Sequence, residues 1–525
     1  MSYSKIFSDL PELTYDVIKY FKNDFSTLHS CILVNRLWCR LAIPLLWENP
    51  FSIPNKNYNF IGIYLYNLNG DLKAQLNEYK IDDNLFPSNT LFNYPIFLKY
   101  LYTQKIISSI EEWSKDVDRI LKLENSSILE FKRLIYMSLF KIFIENEVNI
   151  HTFDIFITYY HCYDSYIDDM IELMLHNPGF FHNIRNLKLS CTDASFSHTK
   201  NRTSQMINLC QNLKKISLTY NSFPIYQSSL LSKDYNHSSN TLNTIIFSSL
   251  NFKVMTNLGK LFKQLNVLES VHIIDCILGT DFIQQIINLN RPFKLKSIFL
   301  YSNNELQIVE SLLQKYGDYL ENFGFRFGSA LLSKEKQLLE LIIKYCKSIK
   351  FLDLTVFNSR IIYPLFNLIE NLKQNLNHLS INIFDSYGLS STIELSSIIL
   401  QNLGQLLPIK LEYLSLTLSI KYKNDFEMFL KNSQNTFIKK LLINNRGSKD
   451  KEGCDDTNDL ILSYIKEYIM KKKRVKYLAI INITTDLFSL KDEVKEFELY
   501  NIKIQKYRDL IIDSKLKFVE ELEDF

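Results

Sequence analysis

The chain has 525 residues, of which 46% are hydrophobic and 22% are charged, a composition typical of folded proteins rather than disordered ones. This length exceeds what one compact core usually holds, so it predicts several domains or one elongated repeat array. Its 60 basic and 57 acidic residues leave a net charge of only +3, which provides no electrostatic basis for binding nucleic acid or an anionic membrane.

Three short helices are predicted within residues 8–50. The first follows Asp9, which can cap it, and carries Pro11 in its first turn, where the missing N–H costs little. The second is indicated by the apolar spacing in NDFSTLHSCILV, and the third, NRLWCRLA, is expected to stop at Pro44. So small a helical group buries too little apolar surface to be stable alone. We therefore expect the rest of the chain, or another protein, to cover it.

Spaced residues in these helices resemble the F-box. The matching positions are Leu10-Pro11-Glu12, Leu28, Val34-Asn35-Arg36, Trp38, Pro44 and Leu46-Trp47. The ending VNRLWCRLAIPLLWENPF is also similar to the endings of fungal F-box sequences.

The F-box resemblance implies that these helices bind a Skp-type adaptor, which joins a cullin–RING ubiquitin ligase. The residues expected to contact the adaptor are Leu10, Pro11, Leu13, Val17, Leu28, Val34, Trp38 and Trp47. The alternative is that the three helices only cap the N-terminal edge of the repeats that follow them.

Residues 51–147 are predicted to form a helical connector, and a six-residue pattern, apolar-x-x-apolar-x-apolar, recurs after it. Its copies begin at Ile184, Leu213, Leu242, Leu268, Leu295, Leu320, Ile349, Leu376, Leu411, Ile438 and Val475, with a weaker copy at Ile150. Segments with helical periodicity, such as NELQIVESLLQKYGDYL, lie between the copies. Each strand–helix unit has one apolar face that only a neighbouring unit can cover, which predicts a solenoid.

The period and the L-x-x-L-x-L core resemble irregular leucine-rich repeats. The predicted fold class is α/β: a short all-α F-box at residues 8–50, then a leucine-rich-repeat solenoid at residues 148–505 with a curved parallel sheet and convex helices. At least nine parallel strands are expected between about residues 180 and 485. Residues 506–525 are expected to be a C-terminal cap or a free tail.

Alternation along the strands predicts which side chains line the concave surface of the solenoid. The expected substrate-binding residues are His272, Phe299, Tyr301, Arg326, Asp353, Asn382 and Asn444. Among them, His272, Tyr301, Arg326 and Asp353 are predicted to face solvent, while Leu300, Phe325 and Leu354 on the other face are predicted to be buried. Aromatic side chains mixed with charges and amides suit protein recognition. The alternative is that these residues are ordinary solvated strand positions.

Motifs for catalysis and metal binding are not recognised in the sequence. His151, His161, His176, His182 and His198 fall in one stretch, but their spacing matches no zinc pattern. The chain has only 12 glycines and contains neither a phosphate-binding G-x-G-x-x-G loop nor a G-x-S-x-G nucleophile elbow. We therefore predict no catalytic residue, no metal and no cofactor.

The sequence favours the cytosol or the nucleus. No signal-peptide pattern or membrane-spanning apolar run is recognised, and the eight cysteines include no C-x-x-C pair, which favours reduced thiols. The basic run Lys471–Arg474 is predicted to close a helix, where cations favour the helix dipole. Nuclear localisation is a secondary interpretation of that run.

The predicted function is that of a non-enzymatic substrate-recognition subunit of a Skp–cullin–F-box ubiquitin ligase. The F-box would bind the adaptor, and the repeats would bind an unknown protein substrate. The alternative is a repeat-based interaction scaffold with no role in ubiquitination.

Overall fold

The chain forms two compact units in a computed structural model. The described residues are 10–22, 24–53, 58–66, 68, 70–79, 90–121, 125–157, 161–192, 197–220, 222–223, 227, 229, 241–289, 293–301, 306–326, 334–356, 359–383, 389–447, 461–482 and 485–524. The N-terminal unit runs to Ile245 and includes Gln264–Val267, and the C-terminal unit comprises Ile246–Lys263 and Leu268–Asp524.

The α-helices alternate with the strands along most of the chain. They are α1 Pro11–Lys19, α2 Phe25–Ile32, α3 Arg36–Leu46, α4 Phe60–Leu65, α5 Gly70–Glu78, α6 Thr103–Leu121, α7 Asn125–Glu145, α8 His161–Leu175, α9 Ser197–Leu209, α10 Leu258–Gln264, α11 Thr280–Ile287, α12 Leu306–Tyr316, α13 Glu335–Tyr345, α14 Ile362–Leu372, α15 Leu389–Leu406, α16 Lys423–Asn432, α17 Lys491–Leu499, α18 Tyr507–Leu510 and α19 Lys515–Leu522. Short 3₁₀ helices occupy Pro50–Ser52, Tyr94–Phe97, Pro178–Phe181, Phe252–Val254, Gly317–Tyr319, Ser359–Ile361 and Leu487–Ser489, and Lys466–Met470 forms a π-helical turn.

The strands follow one another along the sheet in chain order as far as β14. They are β1 Tyr100–Tyr102, β2 Thr152–Ile157, β3 Asn186–Cys191, β4 Lys215–Tyr220, β5 Thr244–Ser248, β6 Ser270–Ile274, β7 Lys294–Leu300, β8 Asn322–Arg326, β9 Phe351–Val356, β10 His378–Ile383, β11 Lys410–Leu418, β12 Phe437–Asn445, β13 Val475–Asn482, β14 Thr485–Asp486 and β15 Lys503–Ile504. Pairing is parallel from β1 to β4 and from β6 to β13. β14 is antiparallel to β13, and β15 pairs with β13 in parallel.

The recurring six-residue pattern predicts the strands correctly. Each of its eleven strong copies coincides with one strand from β3 to β13, and the weaker copy at Ile150 coincides with β2. The reason is the repeated burial of the apolar positions: in β9, Leu352 and Leu354 are buried, and in β10, Leu379 and Ile381 are buried. The α/β class is therefore confirmed, as is the parallel pairing from β2 to β4 and from β6 to β13.

The predicted helical connector at residues 51–147 is helical in α4 to α7 but also contains β1. This strand pairs in parallel with β2, so that Tyr100 lies opposite Thr152. The sheet therefore begins before residue 148. A strand of three residues is too short to show a clear alternation of apolar and polar positions, which is why the pattern did not reveal it.

Two further details differ from the sequence-based expectation. Helix α3 runs through Pro44 to Leu46 instead of stopping at the proline. Asp9 lies outside the described residues, and Leu10 is the residue that precedes the first turn of α1. None of the helices in the described ranges is both long and apolar enough to cross a lipid bilayer.

Candidate interaction surfaces

The first helix exposes a row of apolar side chains. Leu10, Leu13, Val17 and Tyr20 are 44%, 51%, 42% and 93% exposed, and their spacing of three or four residues places them on one side of α1. We call these four residues the N-terminal stripe. Exposed apolar rows of this kind mark interaction sites more often than scattered apolar residues do.

The other side of α1 packs into a small core. Ile18 is fully buried there against α2 and α3, in a cluster with Leu28, Cys31, Ala42 and Leu45. The two following helices are held by side-chain caps, because Asp24 accepts the Thr27 N–H and Asn35 accepts the Trp38 N–H. Helix α1 therefore has apolar side chains on two sides, and the described residues pack against only one of them.

The eight predicted adaptor-binding residues divide into surface and core positions. Leu10, Leu13 and Val17 belong to the N-terminal stripe, Pro11 is exposed beside it, Val34 is exposed after α2, Trp38 is half-buried, and Leu28 and Trp47 are buried. Trp47 packs edge-on against Tyr64 with ring centroids 5.3 Å apart. Leu28 and Trp47 therefore stabilise the helices from inside in this arrangement, and adaptor contact by the eight residues stays a prediction.

Glu48 fixes the end of the helical group to the first strand. Its carboxylate lies 3.0 Å from Lys22 Nζ and 2.5 Å from Lys99 Nζ, and its backbone carbonyl accepts the Tyr100 N–H. Burial acts to lower the pKa of Lys22, but its hydrogen bond to Tyr100 and its ion pair with Glu48 outweigh this effect and raise the pKa. These contacts hold the helical group that carries the N-terminal stripe against the first strand, while the stripe itself is exposed.

In the C-terminal unit, alternate strand residues lie on opposite faces of the sheet, as predicted. Leu300, Phe325 and Leu354 are buried on one face, which we call the apolar face. The strand register places the seven predicted substrate-binding residues together on the other face, which we call the polar face.

The exposure of the polar face is only partly as predicted. Arg326 is exposed, Tyr301, Asp353, Asn382 and Asn444 are half-buried, and His272 and Phe299 are buried. The prediction that His272 faces solvent is therefore wrong, and Tyr301 and Asp353 are only partly accessible. The C-terminal end of the chain and local ring packing explain these differences.

Phe299 is buried because its ring lies over Gly324 on the next strand. A Cβ atom at Gly324 would come within 2.5 Å of the Phe299 ring and 3.1 Å of the Tyr301 hydroxyl. The missing side chain lets Phe299 approach Phe351, with ring centroids 5.6 Å apart, and lets the Tyr301 hydroxyl donate to Asp353 at 2.7 Å. A glycine here permits close side-chain packing across the sheet.

Residues 502–524, which we call the C-terminal segment, first add a strand to the sheet and then cross its polar face. Strand β15 in this segment pairs with β13, and Tyr507 and Leu510 of α18 pack against Tyr413, Leu442 and Ala479. The backbone N–H of Ile512 then donates to the Tyr413 hydroxyl at 3.2 Å. The described part of residues 506–525 is therefore packed on the predicted binding face rather than being a free tail.

Helix α19 inserts a lysine into a site made by β9. Lys515 Nζ lies 3.0 Å from Asp353 Oδ2 and 5.0 Å from the centroid of the Phe351 ring, and it donates to the Ile512 carbonyl at 2.6 Å. Both partners of the ion pair are largely buried, with side-chain exposures of 9% and 13%. The Asp353 carboxylate and the face of the Phe351 ring together form a site for a desolvated cation.

An aromatic side chain and a carboxylate make the remaining contacts between the α19 region and the sheet. Phe518 packs edge-on against Phe351 at 4.8 Å and against His378 at 5.6 Å. Glu523 Oε1 lies 3.1 Å from Lys296 Nζ and 3.2 Å from His272 Nε2, the latter without hydrogen-bond geometry.

Burial sets the charge states at this carboxylate site. Burial lowers the pKa of His272 although Glu523 acts in the opposite direction, so the imidazole is uncharged at neutral pH. For Glu523, burial acts to raise the pKa, but the neighbouring His272 and Lys296 lower it. Because His272 is uncharged, we assign the charge pairing of Glu523 to Lys296.

The described residues contain no group of three or more histidine, cysteine, aspartate or glutamate side chains that could hold a metal ion. His151, His176 and His182 lie within the described ranges, whereas the side chains of His161 and His198 lie outside them. Burial raises the pKa of Cys210, Cys276 and Cys346 to about 12, so these thiols are protonated at neutral pH.

Comparison with known proteins adds no relative. No protein-family model matches the chain, and no curated protein matches it.

Proposed function

We propose that the chain is a non-enzymatic substrate-recognition subunit of a Skp–cullin–F-box ubiquitin ligase. The N-terminal stripe would bind a Skp-type adaptor, and the polar face of the repeats would bind a protein substrate. The observation that carries the proposal is the second apolar side of α1, where Leu13 and Val17 remain 51% and 42% exposed although Ile18 behind them is fully buried.

The chemistry of the N-terminal stripe fits an adaptor-binding surface. An amphipathic helix that presents apolar residues at spacings of three and four is a common element of protein–protein recognition. The supporting core and the Glu48 ion pairs hold α1 in place, so the stripe is ordered before a partner binds. A preorganised surface loses less conformational entropy on binding.

One feature of the repeats supports the resemblance to leucine-rich repeats. Asn445, at the end of β12, accepts the Ile420 N–H at 2.8 Å and the Gly447 N–H at 3.1 Å, and donates to Asn482 at 2.6 Å. An asparagine in this place satisfies the backbone of neighbouring turns.

The test is adaptor co-purification with the Leu13→Ala/Val17→Ala double variant. We expect at least a thirtyfold loss of affinity for a Skp-type adaptor, because truncating two central apolar contacts removes on the order of 2 kcal/mol or more. Folding should be retained, since both side chains are exposed in the free chain. Isothermal titration calorimetry with purified adaptor measures the affinity, and circular dichroism checks the fold.

The matched control is Leu499→Ala, which truncates another leucine that is 81% exposed. This variant should bind the adaptor as the wild type does. Equal binding by the stripe variant and the wild type would contradict the proposal and favour a helical group that only caps the repeats. Adaptor binding without cullin in the same complex would favour a scaffold outside ubiquitination.

A further inference from the structure

Helix α19 contacts the polar face through two charged contacts and one aromatic contact, beyond the apolar packing of α18. Lys515 lies against Asp353 and Phe351 at one end of α19, and Glu523 lies beside Lys296 at the other. The sheet therefore offers two separate sites of opposite preference, one for a cation and one for a carboxylate. Phe518 occupies the aromatic surface formed by Phe351 and His378 between them.

The sheet surface near the carboxylate site is polar. Ser297 and Asn322 are buried there, and the Ser297 hydroxyl accepts the Asn322 amide at 2.9 Å and lies 2.9 Å from His272 Nδ1. If the surface only had to be covered permanently by the C-terminal segment, apolar residues would stabilise that contact more. Buried ion pairs contribute little net stability but select for one partner. The polar character of this surface therefore points to recognition of a charged segment.

We propose that the polar face binds a helical segment of a partner protein that presents a basic residue, an aromatic residue three positions later and a carboxylate eight positions after the basic one. Residues 511–524 carry this pattern as Lys515, Phe518 and Glu523, and they occupy the site in the free chain. Only one part of the inference rests on the proposed function, namely that the partner protein is a substrate of the ligase. The binding site itself is independent of an adaptor.

The covalent link between the C-terminal segment and the sheet explains why this segment, rather than a partner, occupies the binding site in the free chain. A covalently linked ligand acts at an effective concentration on the order of millimolar. A partner helix must therefore bind more tightly than the C-terminal segment or meet a chain in which the segment is released. We expect an added peptide to bind weakly to the wild-type chain for this reason.

The experiment measures binding of a fluorescein-labelled peptide with the sequence of residues 511–524 to the full chain by fluorescence anisotropy. The full chain carrying Lys515→Ala and Phe518→Ala, which weakens its own segment, should bind the peptide at least tenfold more tightly than the wild-type chain. Adding Asp353→Asn to that variant should lower the affinity at least tenfold. Hydrogen exchange across β9 and α19 shows whether the sheet stays folded while the segment opens.

Matched peptides test the chemistry of the pattern. A peptide with Lys515→Ala should lose at least tenfold in affinity, whereas Lys517→Ala should have little effect because Lys517 is 76% exposed. If the double variant of the chain does not fold, Glu523→Gln alone provides a milder release of the segment. The Glu523→Gln chain should then bind the peptide more tightly than the wild-type chain does.

Three results would overturn the inference. They are an opened but folded sheet that does not bind the peptide, equal binding of the Lys515→Ala and Lys517→Ala peptides, and a dimer that exchanges C-terminal segments between two copies. The last result would identify a second copy of the chain as the occupant. Loss of adaptor binding with retained peptide binding would contradict only the proposed function, so the two failures are distinguishable.

Discussion

Replacing Arg474 by alanine is expected to destabilise the C-terminal unit by about 3 kcal/mol or more, because hydrogen bonds from a buried charged group are strong and their loss leaves acceptors unpaired. The guanidinium donates to the carbonyls of Leu430, Thr436 and Tyr468 at 3.1 to 3.3 Å, and also to the Ser433 carbonyl. Burial lowers the pKa of Arg474 to about 10, so the side chain remains charged at neutral pH.

The measurement is urea unfolding of the full chain, combined with hydrogen exchange of residues 430–445 to locate the change. Lys472→Ala is the control, because Lys472 is exposed in the same basic run and its substitution should be nearly neutral. Arg474→Lys should be intermediate, since an ammonium group cannot reach as many carbonyls as a planar guanidinium. Equal stability of the Arg474 and Lys472 alanine variants would contradict this role.

The four residues of the basic run Lys471–Arg474 do not share one environment. The run follows a helical stretch that ends in the π-helical turn, as the sequence predicted. Arg474, however, is buried and binds backbone carbonyls, so this residue is unavailable as part of a localisation signal in the folded chain. Charge pattern alone cannot distinguish a buried structural arginine from its solvated neighbours.

Lowering the pH from 7 to 5 is expected to destabilise the C-terminal unit by about 2 kcal/mol through His378. Burial lowers the pKa of this histidine to about 4 although Glu412 acts in the opposite direction, against an ordinary value near 6.5. The folded state therefore binds fewer protons than the unfolded state between those pH values. The contribution of His378 to stability must therefore fall as the pH drops from about 6.5 towards 4. Burial raises the pKa of Glu335 in the same unit to about 7, so that group acts in the opposite direction and the prediction concerns the His378 contribution alone.

The test compares urea unfolding midpoints at pH 7 and pH 5 for the wild type and His378→Phe. The variant keeps an aromatic ring against Phe518, and its change in stability between pH 7 and pH 5 should differ from that of the wild type by about 2 kcal/mol in favour of the variant. His272 should supply part of the remaining pH dependence, because burial lowers its pKa as well. His29→Phe, at an exposed position, should retain the wild-type profile. An unchanged pH dependence in His378→Phe would contradict the assignment.

The repeat positions could be predicted from the sequence because every copy uses the same local physics. A strand in a repeat must bury alternate apolar residues, so the copies at Ile349 and Leu376 fix both a strand and the face of each side chain. The assignment of Leu354 to the buried face, and of Asp353 to the opposite face, required nothing beyond that alternation.

The covering of the polar face could not be predicted from the repeats, because Glu523 and His272 are far apart in sequence and no local pattern links them. A signal was nevertheless present in the C-terminal segment. Ile502, Ile504 and Tyr507 are apolar or aromatic and are buried, whereas a free tail has no need of such residues. In the three N-terminal helices, apolar spacing does not distinguish core from surface positions, so Leu28 could not be separated from Leu13 by sequence alone.

The proposed adaptor function is tested most directly by assembling the complex from purified components. Size-exclusion chromatography with light scattering of the full chain, a Skp-type adaptor and a cullin should give one complex with equal amounts of the three proteins. The Leu13→Ala/Val17→Ala variant should leave the adaptor and cullin together without the chain. Elution of the wild-type chain alone, under conditions in which an established F-box protein joins the same adaptor and cullin, would contradict the proposed function.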